Sequence, residues 1–183
     1  MNDERSHRVA RHPLSIRVKS LALGVCAALL ATQRTGLLAA APAAVGLVLL
    51  GVSDGATGRF SVRTLRRSTT FVCAALVLDA ARAAAWSRLL HAIAMSGALA
   101  LVLTVLWALT STFAFGDVLL VVFASLVPAW LSPHTIAVVL LSTCVLAGGV
   151  ALARQRRRSM NDGTAKVPLG PALAAAWMIG TCA

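Results

Sequence analysis

"LLHAIAMSGALALVLTVLWALTST" (Leu89–Thr112) runs for 24 residues without a carboxylate, a lysine or an arginine. As an α-helix it would be about 36 Å long, enough to cross a hydrocarbon layer of about 30 Å. The sequence on either side repeats its character. Apolar runs recur at Val18–Thr32, Leu37–Ser53, Thr69–Ala85, Val118–Leu131 and Thr135–Ala153. The fifth span ends at "SPH", where Pro133 forces a break. A further run, "VPLGPALAAAWMIGTCA" (Val167–Ala183), stops just short of a full span. The chain is 58% hydrophobic and only 13% charged, well outside the composition of a soluble domain. The expected fold is an all-α polytopic membrane protein with six to seven transmembrane helices. A basic cytoplasmic segment, residues 1–17, precedes a helical domain spanning residues 18–183.

Charge gives the orientation. The 17 Lys and Arg residues cluster at Arg5–Lys19, at Arg59–Arg67, and at "RQRRR" (Arg154–Arg158) with Lys166. If the N-terminus is cytoplasmic and the spans alternate, fourteen of them are cytoplasmic, leaving Arg34, Arg82 and Arg88 outside. That asymmetry is the positive-inside pattern of a plasma-membrane protein. The net charge of +11 therefore points to membrane lipids and their anionic headgroups as neighbours. Nucleic acid is not expected as a partner, because the basic clusters are separated by long apolar segments. The N-terminus has the basic start of a signal peptide but no small-x-small cleavage site, so an uncleaved first helix is expected.

Cys26, Cys73, Cys144 and Cys182 lie far apart with no CxxC pair, so no zinc site is expected. They read as four buried thiols. His91 and His134 read as interfacial polar residues rather than metal ligands, and Trp107, Trp130 and Trp177 as packing or interface residues. Gly148–Gly149 reads as a place of close helix contact.

Only six residues are acidic, which singles out an aspartate in "FAFGDVLL" (Phe113–Leu120). Asp117 opens span five and Asp54 closes span two, so the alternating topology puts both on the cytoplasmic face. Two neighbouring carboxylates can share one proton, since both cannot ionise cheaply at short range. One then takes a proton from water while the other polarises a peptide carbonyl. Structural alternatives stand beside this reading: Asp54 as a turn former in "SDGATG", and Asp117 as the N-cap of span five. Asp79 is the rival for the first position. It sits some ten residues into span three, about 15 Å from the cytoplasmic side, where a local pair with Arg82 is expected.

"FAFGDVLL" resembles the GxGDxK element of the type IV prepilin peptidases, which are membrane aspartic proteases. "LGVSDGATGRFSVRTL" (Leu50–Leu65) is similar to their other aspartate segment, and "WSRLLHAIAMSGALALVLTVLWAL" (Trp86–Leu109) occupies the place of the helix before GxGD. "KVPLGPALAAAW" (Lys166–Trp177) resembles their closing "(I/V)PFGP" segment. The resemblance covers about residue 37 to the end. It implies that Asp54 and Asp117 are catalytic, with Gly116, Ala114 and Leu119 in the supporting motif. It further implies a pilin-like precursor as substrate, cut at the cytoplasmic face between a basic leader and an apolar helix, with no metal or organic cofactor. Ala114 replaces the first glycine of the motif, Leu119 its basic residue, and Phe60–Ser61 the usual Ile-Pro pair. Nothing matches the zinc-cysteine region of the family's bifunctional members, so methyltransferase activity is not expected. The alternative is a catalytically inactive relative serving as a scaffold or assembly partner. A small transporter is disfavoured, because no span carries a polar stripe.

Overall fold

A computed structural model describes residues 12–57, 61–110, 114–157 and 169–182. These residues form seven α-helices and no strand. They are α1 (His12–Thr35), α2 (Ala40–Thr57), α3 (Val62–Ala83), α4 (Trp86–Thr110), α5 (Phe115–Leu131), α6 (Pro133–Arg157) and α7 (Leu169–Cys182).

Local chemistry sets the boundaries. α1 stops at Gly36, whose φ of +68° is left-handed and whose N–H donates to the Thr32 carbonyl at 2.8 Å. Glycine takes that conformation without a Cβ penalty. The chain then reverses, and α2 returns alongside α1 with Gly24 against Val45. Pro42 lies in the first turn of α2, where its missing N–H leaves no hydrogen bond unmade. Ser61 caps α3 by accepting from the Thr64 N–H at 3.4 Å. Pro133 is the first residue of α6, the position at which proline ends one helix and begins another.

α2 is the central helix. Ala39, Ala40, Ala43, Ala44, Leu47 and Leu50 are almost inaccessible. Gly46 marks a close junction of three helices: a Cβ there would lie 2.9 Å from the Phe123 side chain of α5 and 2.9 Å from the Ser68 side chain of α3. A small residue lets neighbouring helices press their side chains against the α2 backbone here. α7 covers another face of α2, burying Leu173, Ala176 and Trp177.

The two longest apolar helices lie at the periphery. α4 (Trp86–Thr110) and Pro133–Ala153 of α6 are long and apolar enough to cross a membrane, by length and composition. Only 11% and 17% of their apolar windows are buried, which sets them apart from the core helices of a soluble protein. Leu90, Ile93, Leu101, Leu109, Leu141 and Val145 instead point outward. Ala40–Gly55, Phe115–Leu131 and Leu169–Cys182 are apolar but shorter.

Several expectations are corrected. The basic stretch 54–68, which the apolar runs ending at Ser53 and beginning at Thr69 leave as an interhelical loop, is largely helical: α2 continues to Thr57 and α3 begins at Val62. Hydropathy cannot detect a helix that carries arginines beyond its apolar part, although arginine is itself a good helix former. α1 likewise begins at His12, within the segment read as a polar tail. The cysteines are not buried: Cys26, Cys73 and Cys144 are exposed and Cys182 is half-buried. Gly148 and Gly149 make no close contact, since a Cβ on either would meet open space. Trp130 and Trp177 are packed inside, and Trp107 lies against Phe115 with ring centroids 5.0 Å apart.

Candidate active site

Asp54 lies in the last turn of α2 and is 8% exposed. Its Oδ2 accepts from the Gly170 N–H at 2.9 Å. Gly170 is the second residue of α7, and N–H groups in a helix's first turn have no intrahelical acceptor. A carboxylate there also meets the positive end of the helix dipole. The approach requires glycine: a Cβ on Gly170 would fall 2.9 Å from Gly51 Cα and 3.0 Å from Asp54 Cβ. The Gly-Pro pair opening the last apolar run is thus what admits the carboxylate, a contact the sequence reading did not anticipate.

Asp117 is the third residue of α5, with Ala114 at the N-cap in an extended conformation (φ −75°, ψ 143°). Asp117 Oδ2 accepts from the Ala114 N–H at 3.2 Å, and the Asp117 N–H donates to the Ala114 carbonyl at 2.8 Å. This is the carboxylate half of a capping box. Alanine has no side-chain acceptor to supply the other half. Asp117 therefore caps from the third helical position, not from the N-cap itself. Gly116 and Leu119 are half-buried, with Leu119 packed on the core. The backbone angles at Ala114 are ones that alanine adopts freely.

α7 relates the two aspartates. Its start, at Gly170, lies against Asp54. Leu173 shares a small apolar pocket with Val121, Ala124 and Ser125 of α5. Gly180, near its far end, lies against Val139 of α6. α7 therefore runs in the same direction as α5, and its first turn marks the end of the bundle to which both Asp54 and Asp117 belong. The Gly46–Phe123 contact agrees. Asp54 is eight residues from Gly46, and Asp117 six from Phe123, about 12 Å and about 9 Å along the two axes.

Asp79 is elsewhere. It is 5% exposed and accepts from the Leu38 N–H at 3.2 Å and the Ala39 N–H at 3.0 Å. These donors lead into α2 at the end opposite Asp54. The expected pair with Arg82 is not the one formed, since Arg82 is exposed while the carboxylate turns inward. Buried N–H groups without an acceptor are costly, and Asp79 is the side chain that satisfies them. The three aspartates of α2, α3 and α5 thus all accept from backbone N–H groups at or just before helix N-termini. His91 and His134 are exposed, and among the described residues no three His, Cys, Asp or Glu side chains converge. Comparisons with protein-family models, with curated proteins and with solved structures give no match.

Proposed function

We propose that this chain is a multi-pass membrane aspartic endopeptidase of the type IV prepilin peptidase kind, with Asp54 and Asp117 as its dyad. The observation that supports it most is the common end of the bundle to which both carboxylates belong. The ionised carboxylate takes a proton from water, and the water oxygen attacks the peptide carbonyl carbon. The protonated carboxyl holds the carbonyl oxygen as it becomes an oxyanion. Collapse breaks the C–N bond, and the departing amine receives the proton. The substrate is a pilin-like precursor, presented at the cytoplasmic side of the plasma membrane.

The exposed apolar faces of α4 and α6 support the membrane part of this reading, and the charge asymmetry supports a cytoplasmic N-terminus. Reporters fused after Arg67 and after Arg158 are expected to read cytoplasm, and one after Arg88 the outside. An external reading at Arg67 would remove the shared cytoplasmic face. The activity itself is tested by co-expressing a pilin-like precursor, which should be shortened only when this protein is present.

One observation favours a second reading, an inactive assembly partner. Each carboxylate already has a structural use as a helix cap. The motif departures separate the two. Ala114→Gly removes the exposed Cβ at the N-cap three residues before Asp117, and Leu119→Lys supplies the basic residue that the resembled motif carries two positions after its aspartate. Together they are expected to raise cleavage of the precursor above the parent, and adding Asp117→Asn should erase the gain. If parent and double variant both insert yet cut nothing, the assembly role is the better reading.

A further inference from the structure

Away from the carboxylates, an apolar groove of about 430 Å³ lies between α1, α2 and α7. Leu23, Cys26 and Leu30 line it on α1, Gly51 and Gly55 on α2, and Ala175 on α7. Asp54 stands at one end, but its carboxylate is turned to the Gly170 N–H. A cation lies on the same stripe. Lys19 is exposed and precedes Leu23, Cys26 and Leu30 by four, seven and eleven residues on the unbroken helix α1. At 3.6 residues per turn those spacings keep all four side chains within about 40° of one line. Because α1 and α2 run antiparallel, the step from Leu23 to Lys19 leads towards the Asp54 end of α2.

The geometry points to a specific occupant: we propose that the groove holds an acyl chain of an anionic phospholipid, with the headgroup phosphate against Lys19. An ammonium on a flexible stem suits a phosphate as a point charge and can reach the interface from an apolar helix face. A volume of about 430 Å³ would be filled by roughly one turn of a helix about 10–12 Å across, whereas a hydrocarbon chain, being thinner, can run along the groove. The proposal rests on the membrane part of the functional reading and not on catalysis, because an inactive protein would hold the same lipid.

The test uses the full chain in mild detergent with phosphatidylglycerol or phosphatidylcholine, read by native mass spectrometry. One retained lipid is expected, with phosphatidylglycerol favoured about fivefold, the effect of one lysine near an anionic surface. Lys19→Ala should bring the two lipids to parity. Ala175→Phe, at an exposed position, should fill the groove and lose both. Cys26 offers a readout on the unaltered chain. Phosphatidylglycerol should slow its alkylation by an apolar maleimide while leaving Cys73 and Cys144 unchanged. The proposal is overturned if Ala175→Phe retains lipid at the parental level, if Lys19→Ala keeps the preference, or if Cys26 gains no selective protection. Protection of Cys26 by an apolar peptide helix alone would assign the groove to a polypeptide instead. Failure of the chain to fractionate with membranes would strike the membrane reading, and absence of precursor cleavage only the catalytic one.

Discussion

Asp54→Asn and Asp117→Asn are each expected to lower the rate of precursor cleavage by roughly two to four orders of magnitude, the usual contribution of a positioned acid or base. Asparagine retains a carbonyl oxygen, so the Gly170 N–H and the Ala114 N–H each keep an acceptor. The caps should therefore survive, and both variants should reach the membrane at the parental level. What asparagine cannot do is exchange a proton with water. A mere cap would tolerate the change, so the pair of variants separates chemistry from architecture. The measurement is precursor cleavage in membranes, normalised to the amount of inserted protein. An Asp54→Asn protein that cuts at the parental rate would remove Asp54 from the dyad.

Asp79 should behave in the opposite way. Asp79→Ala leaves the Leu38 and Ala39 N–H groups without their acceptor, and Ala39 is fully buried. The expected loss is about 3 kcal/mol, the scale of buried hydrogen bonds to a charged group. It should appear as a lower unfolding midpoint in detergent. Asp79→Asn keeps one good acceptor and should lose less, with cleavage mostly preserved. If Asp79→Asn instead abolished cleavage while Asp54→Asn did not, the first catalytic position would have to be reassigned to α3.

The contrast between these aspartates shows what was legible in the sequence. The helical class followed from the apolar runs, and Pro133 fixed the α5–α6 boundary where expected. The α2–α7 and α5–α7 contacts put Asp54 and Asp117 towards one end of the bundle. The partner of Asp79 was not legible, because Leu38 and Ala39 are some forty residues away and neither is polar in sequence. A backbone donor leaves no mark in a list of side chains. Gly170 leaves no mark for a related reason, since its contribution is an N–H and the absence of a Cβ. The paired Gly148–Gly149 faces open space, while isolated Gly51 and Gly170 sit where two backbones meet and Gly46 where side chains of α3 and α5 close on α2. Helix rotation decides that difference, and rotation depends on neighbours far along the chain. The cysteines failed in the same way, because a uniformly apolar helix gives no sequence signal of which face turns inward.

The Gly51–Gly170 contact also says how mutations in this protein should combine. A Cβ on Gly51 would lie 3.1 Å from the Gly170 carbonyl oxygen, and one on Gly170 would lie 2.9 Å from Gly51 Cα. Backbone on both sides cannot rotate aside as a side chain does, so either methyl must push α7 off α2 and stretch the Asp54 bond. Once one has done so, the second finds the gap already opened. Gly51→Ala and Gly170→Ala should therefore be strongly epistatic, with the double variant little worse than the harsher single one. In genetic terms, two positions 119 residues apart act as a single locus. A mutational scan scored one residue at a time would count that locus twice.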